Sequence, residues 1–277
     1  MKKQTYIAVL SIAGSDSGGG AGIQADVKTF SALGCYGTTA ITAITVQNTL
    51  GVTAIHSIPP EIVAGQIRAV MEDIRPRAVK IGMIHQAALV CEIAEVLSEY
   101  PHVPVVLDPV MVATSGDKLI QEDTVAAIRE KLFPLATLVT PNLDEASLLA
   151  EMPITDLGGM ERAARKILEG NSDAVLVKGG HLQGETLHDV YLDRSGAVEL
   201  ITSKYIDTPN THGTGCTLSA AIACFLARGN ELKTAVRLAS DYIHGAIGAG
   251  SSVSTGSGHG PLNHFFNPEK LIIDEVE

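Results

Sequence analysis

The strongest constraint on this chain is a set of short, unbroken apolar runs that each end at a polar or glycine residue. VPVVLD (103–108) and DAVLVKGG (173–180) show it most clearly. An alternating pattern would mark a strand with one wet face. A continuous run of this length fits a strand buried on both faces, as in a parallel sheet covered by helices. Such strands are predicted at Ile7–Ile12, Thr39–Val46, Val52–Ile58, Ala78–Ile81, Val103–Leu107, Leu138–Thr140, Ala174–Val177, Val190–Leu192 and Val198–Thr202. Between them lie helix-forming segments: Gln24–Leu33, Ile62–Glu72, Ala87–Glu99, Thr124–Phe133, Glu145–Ala150, Met160–Leu168, Thr217–Ala227 and Leu232–Ala249. The alternation predicts a doubly wound α/β sandwich: a mostly parallel central sheet with helices on both faces. Val190–Thr202 reads as a hairpin around Arg194-Ser195-Gly196. With no repeat and no composition break, residues 1–277 read as a single domain, and the Gly/Ser-rich stretch 248–260 as a loop.

Composition narrows the partners. A formal net charge of −11 argues against nucleic-acid and anionic-membrane partners, which require a basic face. No apolar run approaches the ~18 residues of a membrane span, and the apolar segment at 7–12 is better read as a strand than as a secretion signal. The four cysteines show no CxxC spacing. The expectation is a cytoplasmic protein of a reducing compartment.

Ligands of open α/β sheets bind at the carboxyl ends of the strands, so the residues just after each run carry the functional reading. AGSDSGGGAGIQAD (13–26) places glycines before a helix. It is neither a GxGxxG fingerprint nor a P-loop, and it reads as a flexible turn or as a close backbone approach to a ligand within reach of Asp26. Gln47 and Asn48 end the next run, either as a strand-terminating pair or as an amide offered to a heterocycle edge. Met83 follows Gly82 and reads as core or as a ligand contact. Asp108 directly follows a buried strand, where a carboxylate is costly unless it caps a turn or faces a cation. Asn142 and Glu145 fit the N-cap and N3 positions of a capping box, and both are also placed to serve a divalent cation or a phosphate. Lys178 is a solvated turn lysine or a phosphate-neutralising one. NTHGTGCTLSA (210–220) opens a helix, whose free N–H groups and positive dipole end make an anion site at Gly213, Thr214, Gly215 and Cys216. Its alternative reading is a glycine-rich N-cap with Thr214 as the capping side chain. The same dipole is expected to depress the Cys216 thiol from its usual value of about 8.5.

Taken together, AGSDSGGGAG, TAITVQNT, VLDPVM, TPNLDEA, VKGGH and NTHGTGCTLSAAIA resemble the hydroxymethylpyrimidine/phosphomethylpyrimidine kinases of thiamin biosynthesis, members of the ribokinase-like superfamily. The resemblance covers about residues 6–268. It implies a ribokinase-like sandwich, usually a homodimer. It implies ATP and Mg²⁺ as cofactors and two successive phosphorylations of 4-amino-5-hydroxymethyl-2-methylpyrimidine. Carried over by motif, the pyrimidine would meet Gly14, Asp26, Gln47, Met83, Val110 and Cys216. Asp108, Asn142 and Glu145 would hold phosphates, with Asp108 and Glu145 on Mg²⁺, and Lys178 and Thr214 would contact ATP. Gly213, Gly215 and Cys216 would be catalytic, His181 and His212 would close over the site, and loop 179–188 is a candidate lid.

The wider superfamily usually has an aspartate base at the position of Cys216; a thiolate there is expected to accept the alcohol proton in the first step and to matter little in the second. Pyridoxal kinases of the same fold share the glycine loop and the GxGC ending, and the Gln47-Asn48 pair favours the pyrimidine. A cysteine hydrolase built on Cys216 and His212 lacks an orienting acid.

Overall fold

The computed structural model describes residues 3–111, 120, 122–180 and 186–276. In chain order the elements are β1 (Lys3–Tyr6), β2 (Ala8–Asp16), α1 (Gly22–Ala32), β3 (Tyr36–Asn48), β4 (Gly51–Ser57), α2 (Pro60–Ala69), β5 (Ala78–Ile81), α3 (Ala87–Ser98), β6 (Val105–Leu107), α4 (Glu122–Ala127), β7 (Leu138–Val139), α5 (Leu143–Ala150), α6 (Leu157–Leu168), β8 (Ala174–Val177), β9 (Thr186–Asp193), β10 (Val198–Lys204), α7 (Thr214–Ala227), α8 (Leu232–Gly250) and β11 (Ile273–Val276).

A nine-stranded sheet has the order β10-β9-β8-β7-β6-β5-β2-β3-β4. The six strands from β8 to β3 run parallel, and antiparallel strands close both edges. The continuous apolar runs have the predicted cause. Along β6, Val105 and Leu107 enter one core and Val106 the other; along β8, Val175 and Val177 alternate in the same way with Ala174 and Leu176. One core is covered by α2 to α6, the other by α1, α7 and α8. Full burial of one such leucine or valine stabilises the fold by about 1.5–3 kcal/mol, so neither face tolerates a polar run.

Two features depart from the sequence reading. The predicted first strand, Ile7–Ile12, is β2 extended to Asp16; β1 precedes it as a further strand and pairs with β11 in a small separate sheet. β11 carries two adjacent acids, Asp274 and Glu275 (IDEV), which hid it from a search for apolar runs. β3 and β4 form a second hairpin, with a register shift between Val46 and Gln47. Its turn lacks the Asn-Gly or Asp-Gly signature that marks hairpins in sequence. Among the described residues no helix is long and apolar enough to cross a membrane.

Candidate active site

The parallel strands all end at the same edge, and the singled-out residues gather there. β2 shifts its register against β3 between Ala13 and Ser15, a bulge at Gly14, and stays paired as far as Asp16. Asp108 follows β6, Asn142 follows β7, and Lys178 follows β8. α7 starts against them: a Cβ on Gly215 would lie 3.1 Å from Lys178 Nζ and 3.5 Å from Asp108 Oδ2.

The charged part is a compact cluster. Lys178 Nζ donates to Asp108 Oδ1 at 2.9 Å, and Thr140 Oγ1 donates to the same oxygen at 3.2 Å. Glu145 completes the expected capping box: Asn142 N–H donates to Glu145 Oε2 at 2.8 Å, and Glu145 N–H donates to Asn142 Oδ1 at 2.9 Å. Its other oxygen accepts a long bond from the Met111 N–H at 3.4 Å. Burial, and to a lesser degree the charge of Asp108, push the Glu145 carboxyl up to about 7, against the pull of Lys178. Burial by itself would lower the Lys178 ammonium, but Asp108 and Glu145 outweigh it and hold the group above its ordinary value. The cluster therefore has two carboxyl groups for one ammonium.

No side chain caps the start of α7. Thr214 Oγ1 donates to the Thr211 carbonyl at 2.7 Å, so it is not the cap that the alternative reading assigned to it. The first-turn N–H groups of a helix have no intrahelical partner and face outward. Gly213 is in the left-handed region with φ +86°, and a Cβ there would overlap the Gly20 carbonyl oxygen. Only glycine permits that contact.

Beside the charged cluster lies a small apolar one, separate from both cores. Met83 and Ala43 are buried in it, with Val52 and Val110 packed around them. Gly14 adjoins it: a Cβ there would sit 2.7 Å from Met83 Cε. Gln47 is half-buried nearby on β3. Its Oε1 accepts from Thr45 Oγ1 at 3.0 Å, and its backbone is tied to the Ser17 side chain.

Two expectations need correction. Asp26 lies one layer beneath the cleft rather than on its wall. It is fully buried, with both carboxylate oxygens 2.9 Å from Lys80 Nζ and one accepting from Ser11 Oγ at 2.5 Å. The Cys216 thiol is raised to about 11, not lowered. Burial is the largest cause, and Asp26 and Asp108 add to it; Lys80 and the Gly22 N–H pull the other way and lose. A helix terminus helps a thiolate only when water or a cation also solvates it, and here two carboxylates sit close by.

His181 and positions 181–185 of the candidate lid lie outside the described residues. Sequence reasoning missed Lys80, Asp16, Thr140 and Ser219, whose Oγ donates to Asp108 Oδ2 at 3.5 Å. A signal for Lys80 was present: one lysine inside the apolar run AVKI must reach a buried acid. Asp16 and His212 meet in space, His212 Nε2 to Asp16 Oδ2 at 2.9 Å, from positions 196 residues apart.

The site can be set beside known proteins. The family model described as phosphomethylpyrimidine kinase matches residues 16–263. A hydroxymethylpyrimidine/phosphomethylpyrimidine kinase of Rhizobium meliloti (strain 1021) is 53% identical over 257 residues, 92% of this chain and 96% of that protein. The crystal structure of phosphomethylpyrimidine kinase from Clostridium difficile 630 is 44% identical and superposes with a TM-score of 0.77, covering 87% of this chain and 99% of that one. An ADP complex of Bacillus subtilis pyridoxal kinase is 38% identical and superposes with a TM-score of 0.86, over 94% of this chain and 98% of that one. With the family match spanning most of the chain and the fold superposing on these kinases, this chain is a ribokinase-like member of the phosphomethylpyrimidine kinase family.

Proposed function

We propose that this chain, working as one domain, transfers the γ-phosphoryl group of ATP to the hydroxymethyl group of 4-amino-5-hydroxymethyl-2-methylpyrimidine, and then phosphorylates the monophosphate to the diphosphate. The observation that carries the reading is the juxtaposition of two unlike pockets at one sheet edge. An apolar nook (Met83, Val110, Ala43, Val52), with Gln47 nearby, suits a small aromatic ring. The cluster of Asp108, Glu145, Lys178 and the uncapped α7 start suits a polyphosphate. The kinase names of the relatives and the ADP held by the Bacillus subtilis neighbour support ATP as the donor.

Phosphoryl transfer depends on positioning and charge neutralisation more than on covalent help. Lys178 neutralises the transferred group, and the amides at the start of α7, other than the Thr214 N–H that donates to the Thr211 carbonyl, face the charge that develops on it. Mg²⁺ fits the donor set, because two buried carboxylates share one ammonium, and burial with the charge of Asp108 pushes the Glu145 carboxyl up to about 7. Asp108 and Glu145 would hold it, alongside phosphate oxygens, as Mg²⁺ prefers. Bound there, it would supply charge neutralisation at the bridging phosphates.

Cys216 is a neutral thiol on this reading. It accepts or donates one hydrogen bond at the hydroxymethyl group and does not act as a preformed base. In a loose transition state the alcohol proton leaves late and passes to an oxygen of the transferred phosphoryl group, so a strong base is not required. The neutral thiol also suits the second step. An aspartate in its place would repel an incoming phosphomonoester by about 4 kcal/mol for unit charges 4 Å apart at an effective dielectric of 20.

A cytoplasmic homodimer is part of the same proposal. Ile44 and Val46 stand 48% and 60% exposed on one face of the β3–β4 hairpin, an apolar surface that a second copy would cover. The testing experiment incubates the protein with ATP, Mg²⁺ and either hydroxymethylpyrimidine or pyridoxal, and resolves the products by mass. Pyrimidine mono- and then diphosphate are expected; pyridoxal phosphate alone would replace this reading with pyridoxal kinase.

A further inference from the structure

Asp16 ends β2, and its side chain is 2% exposed. Its carboxylate accepts from the Gly18 N–H at 2.7 Å, the Gly20 N–H at 3.0 Å and the Ala21 N–H at 2.8 Å, so one side chain shapes the whole first glycine loop. Its own N–H donates to Gln24 Oε1 at 2.8 Å, pinning the strand end to α1. The remaining contact is His212 Nε2 at 2.9 Å. Burial would raise the Asp16 carboxyl, but His212 and these N–H groups outweigh it and hold it below its ordinary value.

His212 immediately precedes the N-cap of α7. It is buried, and its N–H donates to the Gly260 carbonyl at 3.1 Å. Its ring lies on Gly20 so closely that a Cβ on that glycine would overlap it. Gly213, the next residue, rests on the Gly20 carbonyl. The two loops that frame the reaction thus touch backbone to backbone, and one side-chain bond ties them together. Neither residue belongs to either large apolar core.

We propose that Asp16 and His212 are positioning residues for phosphoryl transfer: their bond locks the first glycine loop against the first turn of α7 and so sets the spacing between the acceptor pocket and the phosphate-facing amides. The inference rests on the kinase reading above. Misplacing reacting groups by about 1 Å costs on the order of 10²-fold in rate, and this bond has that leverage without touching a reacting atom.

The test is steady-state kinetics on His212→Ala, His212→Gln, Asp16→Asn and the His212→Ala/Asp16→Asn pair, with folded fraction followed by circular dichroism. Expected for His212→Ala is a fall in kcat of about 10²-fold with the KM for ATP unchanged. His212→Gln, which offers an amide N–H near the Nε2 position, recovers most of that loss. The double variant is no slower than the worse single one, because both remove the same bond. If His212→Ala does not fold, Asp16→Asn gives the same kcat-against-KM reading. An active wild type whose kcat survives His212→Ala overturns this inference alone. So does a loss that only tracks folded fraction, with Gln no better than Ala. A wild type that phosphorylates neither pyrimidine nor pyridoxal overturns the kinase reading and this inference with it.

Discussion

Two lysine–aspartate pairs stand on the same sheet, and they differ in almost everything but composition. Lys80, on β5, meets Asp26 of α1 with both oxygens at 2.9 Å, and both side chains are 0% exposed. Lys178, just past β8, meets Asp108 past β6 at the same distance, but with 14% of the lysine side chain open. The sealed pair is electrically balanced, with Ser11 as a further donor to Asp26. The open cluster has a third member, Glu145, which leaves it short of positive charge, and it faces uncapped amides. A balanced, sealed pair serves the fold; an unbalanced cluster at the mouth of a cleft is completed by a ligand. Distance does not separate them. Stoichiometry of charge and access to water do.

The largest effect expected from this contrast is on stability. Lys80→Met leaves Asp26 as an uncompensated buried charge and is expected to cost about 3–5 kcal/mol in urea unfolding, most of it recovered by adding Asp26→Leu. If Lys80→Met unfolds at the wild-type midpoint, the pair is not structural. Lys178→Ala is expected to shift the balance towards function: kcat/KM falls by about 10²–10³-fold, with a smaller loss of stability than Lys80→Met, because the Lys178 side chain is 14% open to water and Thr140 still donates to Asp108. A stability loss as large as that of Lys80→Met would erase the distinction.

Glu145 sharpens the comparison through pH. The folded, metal-free protein holds this proton more tightly than the unfolded chain does, with a pKa of about 7 against an ordinary 4.5. Stability therefore falls as pH rises from about 4.5 to about 7, and the penalty is complete above that range. Glu145→Gln keeps an amide able to close the capping box and removes the charge. Relative to wild type it should gain up to about 3 kcal/mol at pH 8 and almost nothing at pH 4. A gain independent of pH would mean the carboxyl is not raised.

The smallest effect is kinetic. With its thiol near 11, Cys216 should react with iodoacetamide at pH 7 far more slowly than the exposed Cys91, and its rate should rise about tenfold per pH unit up to pH 9. Fast labelling at pH 7 would show that the helix start dominates after all.

Several of these features were legible in the sequence. VPVVLD and DAVLVKGG declared strands buried on both faces, and the polar residue ending each run marked the functional edge. Asn142 and Glu145 announced a capping box by spacing alone, and the structure shows it closed. What stayed hidden depended on partners far along the chain. Asp26 looked like a ligand contact because its helix begins at the glycine loop; it became a buried counter-ion because β5 places Lys80 beside it.

Local chemistry, then, is what the sequence determined by itself: strand, cap, glycine turn, and the order in which functional groups leave the sheet. Each depends on a few neighbouring residues whose geometry the backbone repeats everywhere. Tertiary structure alone decided the charges. Cys216 follows a helix start, which favours a thiolate, yet burial and the approach of Asp26 and Asp108 leave it protonated. Asp16 and His212 are unremarkable in their own segments and acquire a role only when β2 and α7 meet. A group's ionisation depends on everything within a few ångströms, and the folded chain, not the order of its residues, chooses those neighbours.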